Sequence, residues 1–334
     1  MDAQHTRGYL VGLIAAIILS TTAIFIRHLT THYDVPPLVL AFWRNAMTTL
    51  VLGGLLAWRW PALLRVDRRH LRYLAGYGVL LAVFNSLWTL AISRTGASVA
   101  TVLVYSSTGF TVLLAWWLLD EPLTGIKMLA VGCSLGGCVL VARAYDPAVW
   151  DTNLLGIVTG VLSGVAYAGY HLMGRSASQR GLNPWTTLLY TFGGATLVLL
   201  FFNLQPVIDL PGSAPSPGDM LWLGDSLAGW GWVLALAAGP TLTGYGLINV
   251  TLAMLPSSVA SLVLSTEPAY TAILALFLFD EVLNGPQIAG AVLIMVAVVA
   301  LRLFEGRGLR RRRRAFRCRV LRKSAQTAEH SSTN

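Results

Sequence analysis

Polar and apolar positions in this chain come as long apolar blocks divided by short polar seams. Ten blocks stand out: residues 9–26, 38–58, 73–93, 98–119, 126–141, 154–174, 185–204, 230–255, 259–279 and 287–304. Each approaches the roughly 20 apolar residues that a helix needs to cross a ~30 Å hydrocarbon layer. The strict alternation of a membrane β-barrel is absent. The pattern predicts an all-α, polytopic membrane protein with ten transmembrane helices. The first block follows a short basic start but is too long for the apolar core of a cleaved leader, so it is read as an uncleaved first span.

Composition agrees: 55% of the 334 residues are hydrophobic and 12% charged, with a mean hydropathy of +0.64. Soluble domains carry about 25% charged residues. Positive charge in short loops orients the spans. With both termini cytoplasmic, 20 of the 24 Lys and Arg fall inside, among them Arg59, Arg65, Arg68, Arg69 and Arg72 in one loop; Arg27, Arg94 and Arg143 fall outside. The expected location is the cell membrane, with both ends in the cytoplasm. The connection at 205–229, with four prolines and no basic residue, reads as a flexible external loop. The basic run in the tail (305–334) reads as a juxtamembrane patch drawn to anionic lipid, not as a nucleic-acid site.

The blocks repeat. "ASVATVLVYSSTGFTVLLAWWLLDEPLTG" at 97–125 aligns without gaps to "SSVASLVLSTEPAYTAILALFLFDEVLNG" at 257–285, an offset of 160. Weaker echoes link Ser20, Ala23, His28 and Leu29 to Ser163, Ala166, His171 and Leu172. Two five-span units follow, 1–145 and 146–304. Because five is odd, the second enters the membrane from the opposite side, and inverted repeats mark secondary transporters with a site near the midplane.

Enzyme motifs fall away on context. "GCSLG" at 132–136 lies inside an apolar helix with no His partner, so Gly132 and Gly136 read as a small-residue packing face. The runs Gly8, Gly12, Ala16, Ser20 and Gly156, Gly160, Gly164, Ala168 read the same way. No nucleotide-binding loop or metal motif occurs. Cys133, Cys138 and Cys318 suggest neither a disulfide nor a metal, and no cofactor is expected. No enzyme activity is expected.

Two charges stand inside spans, Arg44 and Glu267. Intramembrane ionisable groups face the bundle interior or a wet cavity and mark substrate or ion paths. The alternatives are a structural Arg44–Glu267 ion pair, separate pairing with carbonyls that only fixes helix contacts, or a site where these groups meet a charged substrate or a coupling proton. Trp88, Tyr105, Tyr167, Tyr245 and Asn249 lie deep enough to join a mixed pocket. Pro240 interrupts the eighth span and Pro268 follows Glu267, each freeing a carbonyl and serving as kink or gating hinge.

These residues resemble the drug/metabolite transporter superfamily, EamA type, over about 8–304. The resemblance rests on "FWRNAMTTLVLGGLL", on the long match from Thr251 onward, and on its first-half repeat. Arg44, Pro268, Glu121, Glu281 and Glu267 match the family's pattern, whereas Thr108 stands where a first-half Pro is common. The resemblance implies secondary transport, often export, of amino acids or other small metabolites, with the bilayer and the substrate as partners and protons as a candidate coupling ion. Uptake, passive flux, or a non-transporting scaffold or sensor are the alternatives.

Overall fold

The computed structural model describes residues 3–119, 124–141, 143, 145–205, 210–255, 260, 263–264 and 266–296. Asp120, Glu121, the end of the last predicted span and the basic tail lie outside the described residues. Among those described, the architecture is all-helical and without strands. The chain runs α1 (Ala3–His32), α2 (Pro37–Arg59), a short 3₁₀ turn (Pro61–Leu64), α3 (Arg68–Thr95), α4 (Ala97–Val104) and α5 (Ser107–Leu119). Then follow α6 (Gly125–Val141), α7 (Pro147–Gln179), α8 (Pro184–Leu204), α9 (Leu227–Leu236), a π-helical stretch (Ala237–Gly244) and α10 (Tyr245–Met254). The last described helices are α11 (Glu267–Phe279) and α12 (Gly285–Val296).

Among the described residues, six stretches are long and apolar enough to cross a membrane: Arg7–His32, Pro37–Arg59, Arg68–Thr95, Asn153–Gln179, Pro184–Leu204 and Leu227–Met254. Their outward faces carry bare apolar side chains, with Leu50 on α2 71% and Leu197 on α8 70% exposed. In water such a surface would aggregate; lipid covers it without cost. Helix ends follow local chemistry. Pro37 and Pro184 sit in first turns, where a missing N–H is no loss, and the Asn183 side chain accepts from Trp185 N at the start of α8.

The predicted fourth span is not continuous. Its helix breaks at Tyr105–Ser106 and restarts at Ser107. α11 starts at Glu267, 160 residues on, directly after a turn at Thr266. Pro268 therefore falls in a first turn rather than in the middle of a running helix, which corrects the expected freed carbonyl. Thr108 holds the matching place, so the first break forms without proline. Pro240 does disturb its helix. Its ring crowds the Leu236 carbonyl, and the chain widens into π-helical turns, with Gly239 off the helix at φ −77° and ψ −106°.

Packing is dominated by α3 against α7 and α8, α2 against α8, and α1 against α10 and α11. With no hydrophobic drive between helices in lipid, close approach at small residues supplies the contact. The backbones of α3 and α8 meet at Gly78, where an added Cβ would lie 3.0 Å from Gly194 Cα, so Gly78→Val would force them apart. The α1 run works as expected: a Cβ at Gly8 would fall 2.8 Å from Leu255, and one at Gly12 3.1 Å from Val263. On α7, the same additions at Gly156 and Gly160 would fall 2.6 Å from Thr95 and 2.8 Å from Leu103. On α6 the expected glycines are not the closest ones: Gly136 meets Leu293 of α12 only at ordinary contact, 3.8 Å. Gly132 meets nothing within 4 Å, and the close contact with α12 is made by Gly137 against Gly290.

The loop expected to be flexible is instead tied down in its described part. Leu38 N donates to Gly212 O, Ala214 N to Asn203 Oδ1, and Trp43 Nε1 to Met220 O at 2.5 Å. Ser216 and Asp219 cap its 3₁₀ turn reciprocally. Residues 206–209 lie outside the described set.

Candidate functional site

Arg44 lies on the second turn of α2 and is 0% exposed. Its Nη2 donates to Asn85 Oδ1 at 2.5 Å, Asn85 Nδ2 donates to Asn45 Oδ1 at 3.0 Å, and Asn45 Nδ2 returns to Ala41 O. The guanidinium also lies over the Trp88 ring at 5.6 Å, close enough for a cation–π attraction. Its Nε and Nη1 have no hydrogen-bond partner among the described residues. A buried cation with two open donors is a strong anion seat, because leaving such donors unpaired is costly.

Glu267 begins α11 and is 5% exposed. The Tyr105 hydroxyl donates to its Oε2 at 2.7 Å. Both groups sit at helix breaks, Tyr105 at the end of α4 and Glu267 at the start of α11, so irregular backbone delivers each side chain to the other. Among the described residues the ion pairs are Arg27–Glu281, Arg69–Asp67 and Arg143–Asp146. None joins Arg44 to Glu267, so the structural ion pair considered from sequence does not form here.

Aromatic rings bridge the two charges. Trp88 stacks on Phe84 at 5.9 Å, Phe84 on Tyr167 at 5.0 Å, and Tyr167 meets Tyr105 edge-on at 6.2 Å. Tyr170 continues from Tyr167 to Tyr245 at 5.8 Å, and Tyr245 lies within Coulombic reach of both Arg44 and Glu267. Six of the seven predicted residues thus share one buried cluster, and Asn249 adjoins it through the Tyr170 side chain. Asn249 lines a cavity of about 10 Å³ with Gly174, Ser178, Pro184 and Thr187, room for one water at most. Pro240 lies beside the cluster: Thr48, one turn after Arg44, donates to the Ala237 carbonyl at 3.3 Å, meeting backbone that the π turns loosen.

Sequence reasoning missed Asn45, Asn85 and His171. The asparagines are the only Asn residues of spans two and three, and Asn45 directly follows Arg44, but nothing in the chain says which group each amide will meet. His171, 4.2 Å from the Tyr167 ring, appeared only as a weak repeat echo.

Comparison with known proteins fits this arrangement. The EamA-like transporter family model matches residues 6–143 and 154–303. An "Uncharacterized transporter" from Synechocystis is 28% identical over 230 residues, covering 68% of this chain and 65% of the relative's length. The threonine/homoserine exporter RhtA of Salmonella typhimurium is 27% identical, covering 76% of this chain and 78% of RhtA. A solved crystal structure shares the fold at a TM-score of 0.60 with 16% identity, covering 89% of this chain and 96% of that one. Membrane-length apolar helices, a buried charged cluster and the family match lead to one conclusion: this integral membrane protein belongs to the EamA-like transporter family.

Proposed function

We propose that the protein is a secondary transporter that exports small metabolites such as amino acids, by alternating access between two inverted five-span halves, 1–145 and 146–304. The observation that carries this is the pairing of two buried, unjoined charges, Arg44 and Glu267, in one aromatic cluster at two helix breaks. A carboxylate-bearing substrate fits the open donors of Arg44. Glu267 is suited to a substrate's cationic group or to a coupling proton. With every cluster member at most 5% exposed, the geometry fits an occluded step of such a cycle.

Further support comes from equivalent features in the two halves. The restarts at Ser107 and Glu267 keep the 160-residue offset, and the family model matches each half in turn. Export and an amino-acid substrate follow the printed role of RhtA, carried over as part of this proposal. Cytoplasmic termini follow from the charge count.

Two measurements test the reading. Purified protein in proteoliposomes, loaded with labelled threonine, homoserine and other small amino acids, should show flux that a proton gradient accelerates; vesicles that leak no faster than empty ones for every substrate class would refute it. For orientation, an impermeant thiol reagent on intact cells should label a cysteine placed at Pro215 and spare one at Val66. Labelling of the second alone reverses the topology.

A further inference from the structure

Outside the cluster, one charged group is built into the bundle with unusual completeness. Arg27, near the end of α1, places Nε 3.2 Å from Glu281 Oε1, and its Nη1 donates to the Ser93 carbonyl at 3.4 Å. Glu281 also accepts from the first backbone donors of α4, Ala97 N at 3.2 Å and Ser98 N at 3.0 Å. Gly96 makes this possible twice over. It takes a φ of +85° that side chains avoid, and a Cβ there would lie 2.7 Å from Glu281 Oε1. One carboxylate thus binds the end of α1, the α3–α4 junction and the segment after α11. The side chains of the pair are 28% and 18% exposed, so water screens them only in part.

The position of this knot gives it meaning. α4 runs from Ala97 at the knot to Tyr105 at the site, and α11 runs from Glu267 at the site to the approach of Glu281. The two helices pack on each other. They are struts, each with one end on the Tyr105–Glu267 hydrogen bond and the other on the Glu281 knot. Helices move as rigid bodies, with the change taken up at element ends, so parting one end of the pair strains the other.

The opposite end of the bundle repeats the grip. Counting 148 positions on from Arg27, Gly8 and Gly12 reaches Arg175, Gly156 and Gly160. The contacts of these two glycine pairs, Leu255 and Val263 against Thr95 and Leu103, are themselves 160 apart. Packing therefore aligns α1 with α7 at 148, not at the 143 of the weaker sequence echo. Arg175 Nη1 donates to the Leu252 carbonyl at 3.1 Å, within one residue of the counterpart of Ser93.

We propose that Arg27, Glu281 and the N-terminus of α4 form a latch that closes one end of the transport path and must open in each cycle, with Arg175 the corresponding grip at the other end. This rests on the transport reading, and the latch is at the external end if the termini are cytoplasmic. Removing the latch should open a water path toward the cluster from that end.

The test uses the full chain with its three cysteines replaced by serine and a reporter, Ala91→Cys. Ala91 is 0% exposed, one turn from Trp88 toward the latch on the same face of α3. In nanodiscs, a water-soluble maleimide should label the reporter at least about tenfold faster in Arg27→Gln and in Glu281→Gln, the loss expected for charged hydrogen bonds. Arg69→Gln, which removes the exposed pair with Asp67, is the control and should change nothing. If Glu281→Gln fails to fold, Arg27→Gln answers alone. Unchanged labelling in the latch variants, or equal acceleration in the control, overturns the latch. In a second arm, a short bis-methanethiosulfonate should bridge Arg27→Cys to Glu281→Cys, stop flux in proteoliposomes, and release it on reduction. Failure to bridge, or full flux while bridged, also overturns the latch, although flux itself upholds transport. Absence of flux from every preparation, the parent included, would instead count against the transport reading, while the labelling still judges the latch.

Discussion

The two broken helices offer the clearest comparison in the molecule. α5 and α11 start 160 residues apart, and each begins directly after a turn, at Tyr105–Ser106 and at Thr266. Their backbones agree while their chemistry does not. The first restarts on Ser107, a small hydroxyl with Thr108 behind it; the second restarts on Glu267 with Pro268 behind it. The residue that completes the second break comes from the first, since Tyr105 donates to Glu267. The difference teaches that the two aligned segments, 97–125 and 257–285, each open the backbone at the matching place, and that one of the two openings is charged. An asymmetric site inside a near-symmetric frame is what a transporter needs if one side of its cycle is to differ from the other.

Moving the charge tests that asymmetry hardest. The double change Ser107→Glu with Glu267→Ser keeps the composition and transfers the carboxylate to the other break. It should cut gradient-driven flux on the order of a hundredfold, the equivalent of about 3 kcal/mol; flux within a few-fold of the parent would mean the breaks are interchangeable. Next in size is Arg44→Lys, which keeps the charge and loses the planar fork over Trp88. Flux should fall on the order of thirtyfold, about 2 kcal/mol, as expected for a lost charged hydrogen bond that an ammonium does not reproduce. An unchanged rate would show that charge without geometry suffices. Tyr105→Phe removes one hydroxyl from Glu267 and should reduce flux about five- to tenfold, near 1 kcal/mol, with normal yield and melting. The smallest effect is structural. Thr108→Pro makes the first break resemble the second, and because Thr108 already lies in a first turn, melting in detergent should move by no more than about 1 kcal/mol of stability. Unfolding of this variant would show that the two breaks differ in backbone after all.

Much of this was legible in the chain and some was not, for physical reasons. Long apolar helices announce themselves because lipid demands continuous apolar surface, and Arg44 and Glu267 stand out because the same demand makes charges rare. Pro240 gives away its distorted helix, since a proline inside a running helix removes a hydrogen bond and crowds the carbonyl four residues back. The break at Tyr105–Ser106 was hidden, because neither residue forbids a helix and the cause is tertiary: α4 must end where Tyr105 can reach Glu267. Asn45 and Asn85 were hidden too, as a single amide in an apolar run does not reveal which neighbour it will meet. Arg27 reads as one more loop charge because its partner Glu281 is 254 positions away, and the loop after α8 reads as slack because its anchors, Asn203 at the end of α8 and Trp43 on distant α2, hold it through side-chain contacts that no local pattern announces.

The central claim is that Glu267 carries charge through the transport cycle rather than holding helices together. Glu267→Gln preserves shape and the Tyr105 contact while removing the ability to ionise. Measured in proteoliposomes side by side with the parent, at several external pH values and with an imposed proton gradient, the variant should reconstitute and melt normally. It should show no gradient-driven accumulation and a flux that no longer varies with pH. Accumulation at the parent's rate with the parent's pH dependence would contradict the account and leave Glu267 a structural carboxylate.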